Sequence, residues 1–387
     1  MVYNKLEEED NQRGSIMKII ILTGKFGMGH FSAANSLAQQ IKGVNPEAEL
    51  LLYDIFDYVM PEYSDRLYRM FGVMVTRASH LYNRYYNNLE KKGPDLKPKC
   101  LRFFLKKLKE LLEQEQPNVI LSTLPFCSQL VSRFKTLYGC QIPLITCITD
   151  ISSHSEWINQ NTDLYLVPSK SVRIQMMEKG VEEEKLYVYG IPVRPEFVMD
   201  KHGQESYIKE SHLRHILIMG GGLGLLPDSK EFYEDLNENT NFIVTVITGK
   251  NREIYQKLHG HYSRIRVIGY TDQVYQYMKE ADVVISKPGG ITLFETIYAE
   301  TPLLVFEPFL QQEINNSGFI VKNGIGMVLE KNPRVCLEEI RQIVEDESLL
   351  ELLTNNVKQL KFEYDKSLLE QVLQLICVGG EGGEVPA

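Results

Sequence analysis

Between Met17 and about Leu329, short runs rich in Val, Ile and Leu alternate with longer stretches whose apolar positions recur at helical spacing. Six strand-length runs occupy the first half: "KIIILTG", "ELLLYDIF", "NVILSTL", "PLITCITD", "LYLVPS" and "KLYVYGI". Six more follow in the second: "HILIMGG", "FIVTVITG", "IRVIGYT", "DVVISKPG", "PLLVFEP" and "GMVLE". Runs this continuously apolar predict strands covered on both faces, hence parallel sheets with crossover helices. The fold class is therefore α/β, with two doubly wound domains facing a cleft at the carboxyl ends of their strands. Each half opens with a strand entering a Gly-rich turn, "LTGKFGMGH" and then "IMGGGLGLLP". Pro192 and Pro195 in "GIPVRPEFVMDKHGQES" are expected to stop regular structure and mark the hinge. The reading gives a tail over 1–16, a first domain over 17–195, a second over 196–365, and a helix with a loose tail over 366–387.

Composition narrows the class. A chain of 387 residues, 43% hydrophobic and 24% charged, fits two ordinary globular domains. No apolar run reaches the ~20 residues of a membrane span. The opening "MVYNKLEEEDNQRGSI" is acidic and polar, unlike a secretory signal. Six cysteines, Cys100, Cys127, Cys140, Cys147, Cys336 and Cys377, show no metal-binding spacing and read as buried thiols of a reducing cytoplasm.

Net charge is −9, unevenly spread. From Ser64 to Leu112 stand twelve cations, including Arg66, Arg69, Arg77, Arg84, Arg102, Lys106 and Lys107, against four acids. This insertion over 64–112 interleaves its cations with aromatic residues and Met, as suits a helix lying in a membrane interface against anionic lipid. A core helix with a solvated basic face fits the same composition. Nucleic acid is disfavoured, because the remaining chain is acidic and repels phosphate backbones.

Two glycine-containing stretches carry chemistry. In "GKFGMGH" the glycines Gly24, Gly27 and Gly29 have neither dinucleotide-binding nor P-loop spacing. Gly27 and Gly29 allow a tight turn that delivers His30 to a helix start facing the cleft. A cap-like or packing role for His30 is the alternative. In "SKPGGITLFE", Gly289 and Gly290 end a strand and Thr292 begins a helix whose free N–H groups suit a diphosphate, with Glu295 one turn in for ribose hydroxyls. Further on, "FLQQEINNSGFIVKNG" places Gln312, Glu313 and Asn316 in a loop before a helix.

Taken in order, the blocks "GMGH", "ITD", "KLYVYGIPVRPEF", "ILIMGGGLG", "KPGGITLFE" and "QQEINN" resemble the monogalactosyldiacylglycerol synthase and processive diacylglycerol glucosyltransferase family. That family is related to the glycosyltransferase that makes peptidoglycan lipid II. The resemblance implies a GT-B fold of two Rossmann-like domains, with UDP-glucose or UDP-galactose held by the second. It implies donor contacts from Gly221, Gly222, Gly289, Gly290, Thr292, Glu295, Gln312, Glu313 and Asn316. It also implies a catalytic pair, His30 as base and Asp150 as an acid in the same cleft, with Gly27 and Gly29 making room for the acceptor. The basic insertion then corresponds to a membrane-docking and acceptor region. Two stretches depart from the family pattern: "GGGLGLLPD" carries leucines after the glycines, and "TDISSHSEWINQN" keeps Asp150, His154 and Trp157 without the usual arrangement.

The reaction implied is inverting, metal-independent hexose transfer to diacylglycerol, with no obligatory cofactor, at the cytoplasmic face of the cell membrane. Rival readings are a polyprenyl-linked or small-metabolite acceptor, a UDP-sugar 2-epimerase of the same fold, and a non-catalytic membrane-associated binding protein.

Overall fold

The computed structural model describes residues 16–96, 101–198, 213–221, 224, 226–239, 241–365 and 367–379. All twelve apolar runs are strands, and every pairing between them is parallel. β1 (Lys18–Thr23), β2 (Glu49–Asp54), β3 (Val119–Ser122), β4 (Leu144–Cys147), β5 (Leu164–Val167) and β6 (Leu186–Val188) form one sheet in the order β2-β1-β3-β4-β5-β6. β7 (Arg214–Met219), β8 (Phe242–Ile247), β9 (Ile265–Ile268), β10 (Val283–Ser286), β11 (Leu303–Phe306) and β12 (Gly326–Leu329) form the other, in the order β12-β11-β10-β7-β8-β9. Strand order therefore reverses between β1 and β3 in the first sheet and between β7 and β10 in the second. Crevices open at such switch points, because the loops leaving the two adjacent strands diverge to opposite faces.

Nine helices matter for the site: α1 (Gly29–Val44), α2 (Ile55–Val59), α3 (Ser64–Arg77), α4 (Ser79–Glu90), α5 (Leu101–Glu115), α6 (Pro125–Tyr138), α7 (Gly290–Ala299), α8 (Gln311–Lys322) and α9 (Leu368–Gly379). Helix α1 turns Ala33, Ala34, Leu37 and Ile41 inward, a stripe of i, i+3, i+4 spacing that packs on β1 with Ile19 and Ile21. The two domains share one apolar cluster beneath the cleft, where Ile148, Ile191 and Val193 of the first meet Leu293, Phe294 and Ile297 of the second. Helix α9 returns to the first domain and places Leu369, Val372 and Leu373 in the core beside Leu37 and Ile41.

Three expectations about elements are corrected. Pro195 does not stop regular structure, since Pro195–Val198 is a short helix that buries Phe197; proline fits a first helical turn, where its missing N–H costs nothing. Residues Gln312, Glu313 and Asn316 lie inside α8 rather than in a loop before it. Helix α7 begins at Gly290, two residues ahead of Thr292, and β10 ends at Ser286, ahead of Gly289 and Gly290.

The insertion divides into two kinds of helix. Helix α5 is a core helix: Phe104, Leu105, Leu108, Leu111 and Leu112 are buried, and Lys107 pairs with Glu110 on its outer side. Helices α3 and α4 instead leave apolar side chains in solvent, Met70 at 70%, Val73 at 54%, Leu81 at 56% and Tyr85 at 61% exposure. Cys127, Cys140, Cys147 and Cys336 are free and buried. Cys100, the side chain of Cys377, residues 1–15 of the predicted tail over 1–16, residues 380–387 of the predicted helix and tail over 366–387, and Gly222 lie outside the described residues.

Candidate functional site

A cleft of about 740 Å³ runs between the carboxyl ends of the two sheets. It falls within the usual size range of small-ligand sites. Its first wall is the loop leaving β1. There Gly27 (φ +67°) and Met28 (φ +65°) both take left-handed backbone, so the chain reverses within two residues and helix α1 starts at once. Glycine accepts that conformation freely, whereas a side chain bears strain of the kind found at functional turns. Phe26 anchors the turn edge-on among Phe56, Tyr68 and Phe71, and Lys25 is tied to Asp57 and Asp54. Asp54 is thereby engaged in structure: it caps α2, accepting from the N–H groups of Phe56 and Asp57, and takes the Tyr68 hydroxyl bond.

His30 sits on the second residue of α1 and lines the cleft. Its backbone carbonyl accepts from Thr123 Oγ1 at 3.0 Å, which joins the start of α1 to the loop after β3 across the switch point. Its Nδ1 lies 2.7 Å from Thr149 Oγ1, and its ring is 6.0 Å from that of Trp157. Burial lowers the imidazole pKa to about 4, so the ring is neutral at pH 7. Asp150 follows Thr149 into the same cleft. Burial first, and then the Glu313 carboxylate, raise its pKa to about 6, opposed by Lys287. Glu156, also on the cleft wall, is raised to about 8 by burial and by Asp150, and so holds a proton at pH 7. His154 serves this wall from behind, stacked on Tyr86 at 3.8 Å.

The second wall is the loop after β10 and the helices that follow. Gly289 caps α7 with extended backbone, and no side chain at the cap position hydrogen-bonds to the first turn. Its leading N–H groups are free to bind an anion. Gly290 also meets a packing need. A Cβ there would overlap the Thr149 carbonyl oxygen and press on Ile191, so glycine lets the two domains approach at the base of the cleft. Thr292 and Glu295 are buried along α7 and line the cleft. Glu295 stands 3.8 Å from Arg194, and burial raises its pKa to about 7 against the lowering effect of that guanidinium. Gly221 (φ +63°), in the loop after β7, lies against the Lys287 side chain.

Helix α8 brings the next three predicted residues to the cleft, with Gln312 and Asn316 one turn apart. Glu313 is buried and pairs with Lys287 at 3.3 Å. Gln312 donates to the Tyr82 hydroxyl at 2.6 Å. Asn316 bridges the domains: its Oδ1 accepts from the Ile151 N–H at 2.9 Å and its Nδ2 donates to the Pro288 carbonyl at 2.9 Å. Among the described residues no group of three or more His, Cys, Asp or Glu stands together as a metal site.

His30, Asp150, Gly27 and Gly29 thus share one cleft with Gly221, Gly289, Gly290, Thr292, Glu295, Gln312, Glu313 and Asn316. Of the residues predicted to dock on a membrane, Arg66, Arg69, Arg77 and Arg84 belong to α3 and α4, whereas Arg102, Lys106 and Lys107 belong to the core helix α5. Thr149, Glu156, Arg194, Lys287 and Tyr82 complete the site without having been singled out. Arg194 and Lys287 sat inside quoted blocks, "YGIPVRPEF" and "SKPGG", where a cation beside glycine and proline was the available signal.

Sequence comparison agrees with this geometry. Residues 30–193 match the monogalactosyldiacylglycerol (MGDG) synthase family model, and residues 215–371 match the glycosyltransferase family 28 C-terminal domain. The chain is 29% identical over 369 residues to a processive diacylglycerol beta-glucosyltransferase of Bacillus pumilus, covering 92% of this chain and 94% of that protein. Among solved structures, a UDP complex of MnaA from S. aureus superposes with TM-score 0.61 at 17% identity, covering 96% of this chain and 99% of that one. MurG from Acinetobacter baumannii superposes at 0.59 and 13% identity, with 94% and 99% covered. These two likenesses establish the two-domain GT-B fold. The chain thus carries a monogalactosyldiacylglycerol synthase domain followed by a glycosyltransferase family 28 C-terminal domain, and is a glycosyltransferase.

Proposed function

We propose that the protein transfers a hexose from UDP-glucose or UDP-galactose to the free hydroxyl of diacylglycerol, with inversion and without a metal ion. The observation that carries this reading is the chemistry of the two cleft walls. One is a helix N-terminus followed by buried Thr292 and Glu295, suited to a diphosphate and a ribose. The other combines Phe26, Phe71, Met74, Tyr82, Tyr85 and Leu89, an apolar lining fit for acyl chains. His30 lies where they meet.

In the proposed step the acceptor oxygen attacks the anomeric carbon as its O–H proton passes to His30 Nε2. The anomeric C–O bond to UDP breaks on the opposite face, and UDP departs with the bonding pair. His30 serves as base when Nδ1–H donates to Thr149 Oγ1, which leaves the Nε2 lone pair directed at the cleft. General-base catalysis of this kind contributes typically ~10²–10⁴-fold. Asp150, ionised above about pH 6, offsets the charge of the imidazolium. The first-turn N–H groups of α7 receive the charge developing on UDP, which supports metal-free chemistry.

Helices α3 and α4 support docking on an anionic membrane surface. Arg66, Met70, Val73 and Arg77 fall on one face of α3, and Leu81, Arg84 and Tyr85 on one face of α4, so apolar side chains are exposed between cations. No described helix is long and apolar enough to cross a membrane. We infer peripheral attachment at the cytoplasmic leaflet. The test is mass spectrometry of lipids after incubating the protein with diacylglycerol vesicles and each UDP-sugar. A hexosyl-diacylglycerol supports the reading, and sugar epimerisation without acceptor refutes it.

A further inference from the structure

Helix α8 carries Gln312 and Glu313 into the cleft but does not cap itself. Leu310, in extended backbone, precedes it and offers no side-chain acceptor to its first turn. The N–H groups of a first helical turn need such an acceptor. Here the acceptor comes from the opposite domain: Asn83 Oδ1, on α4, takes the Gln311 N–H at 3.0 Å. The other end of the same amide, Nδ2, donates to the Phe309 carbonyl at 2.8 Å. Asn83 therefore grips both strands of the turn that enters α8. One residue earlier on α4, the Tyr82 hydroxyl accepts from Gln312 Nε2 at 2.6 Å.

We propose that Asn83 and Tyr82 are positioning residues for the sugar end of the donor. Asn83 caps the donor-sugar helix in trans, and Tyr82 fixes the Gln312 amide, so helix α8 is set for the hexose only while α4 of the basic insertion is seated against it. The inference rests on the assignment of Gln312 and Glu313 to the donor sugar. Neither contact is needed to hold the domains together. The Ile151 to Asn316 bond and the apolar cluster of Ile191, Val193, Phe294 and Ile297 span the same interface independently. Asn83 acts from behind the cleft wall, whereas Tyr82, Phe309 and Gln312 line the cleft. Asparagine is suited to the task because one planar side chain carries both an acceptor and a donor, and the turn presents one N–H and one carbonyl to it.

The test is titration calorimetry of the full chain with UDP, UDP-glucose and UDP-galactose, on wild type, Asn83→Ala and Tyr82→Phe. Two backbone hydrogen bonds are lost in Asn83→Ala, and the Kd for the preferred UDP-sugar is expected to rise about tenfold while that for UDP stays within about twofold. Tyr82→Phe keeps the ring, loses one hydroxyl, and is expected to raise the UDP-sugar Kd by about threefold. Unchanged UDP-sugar affinity in both variants, or an equal loss for UDP and UDP-sugar, overturns the inference and leaves the donor assignment standing. A wild-type protein that binds neither UDP nor UDP-sugar overturns the donor assignment and the inference with it.

Discussion

Asp150→Asn should stabilise the unliganded protein while impairing it as an enzyme. Asp150 holds a carboxyl whose pKa is raised from 3.8 to about 6, chiefly by burial and then by the Glu313 carboxylate, with Lys287 pulling the other way. The unfolded chain loses this proton near pH 4, whereas the folded chain keeps it to about pH 6, so stability falls through that window as pH rises and stays low above it. A tenfold change in the protonation equilibrium is about 1.4 kcal/mol, so the cost of the buried charge at pH 8 is roughly 3 kcal/mol. At pH 4.5 the same linkage leaves about 1 kcal/mol. Asparagine has nearly the same shape and no charge to bury, so the gain follows that profile. The assay is the thermal midpoint of both proteins at pH 4.5, 6 and 8. Glu295 titrates in both and cancels in the difference, whereas Glu156, whose pKa is raised in part by Asp150, is relieved of that contribution in the variant, which adds to the gain at pH 8 and not at pH 4.5. The reasoning is refuted if the variant melts lower at pH 8, or if its gain is the same at pH 4.5 as at pH 8.

Other outcomes follow from the same geometry. His30→Ala should remain folded at pH 7 and lose transfer by about 10²–10⁴-fold, read as product formed per minute. Wild-type activity should rise with pH between about 4 and 6, as His30 and then Asp150 lose their protons, and level off above; a rate that falls across that window contradicts both assignments. Gly290→Ala, whose added methyl meets the Thr149 carbonyl, should cost about 1–3 kcal/mol of stability. Gly289→Ala, with its nearest neighbours at 3.9 Å, should cost less than about 0.5 kcal/mol. Replacing Met70 and Leu81 with Glu should abolish sedimentation with anionic vesicles, and wild-type binding should weaken in high salt.

What could be read from the sequence depended on how local the cause was. All twelve strands were legible because burial on both faces forces an apolar run wherever a parallel strand lies. The turn at Gly27 and the cleft-facing position of His30 followed from glycine spacing beside a strand end. The start of helix α8 was read as a loop before a helix because "QQEINN" has no apolar periodicity of its own: this stretch faces the cleft and the other domain, where Glu313 and Asn316 are buried by partners far away in sequence. Gly290 looked like part of a diphosphate turn, yet the atom that forbids a side chain there belongs to Thr149. Composition alone left the insertion undivided. Helices α3 and α5 share its aromatic and basic character, and only the packing of Phe104, Leu108 and Leu112 against the first domain separates a core helix from an exposed one. Thr149, Tyr82 and Asn83 left no local trace, since each acts through hydrogen bonds to residues more than a hundred positions away, one for Thr149 and Tyr82 and two for Asn83.

The most direct measurement of the central claim is the lipid product itself. Wild type and His30→Ala are each incubated with diacylglycerol in anionic vesicles, UDP-glucose and UDP-galactose, with a chelator present, and the lipids are resolved by mass spectrometry. Wild type should yield a hexosyl-diacylglycerol, whose anomeric proton in NMR shows the inverted configuration, and His30→Ala a trace at most. UDP-sugar consumed without a glycolipid, transfer that stops when the chelator is added, or a His30→Ala variant as active as wild type would contradict it.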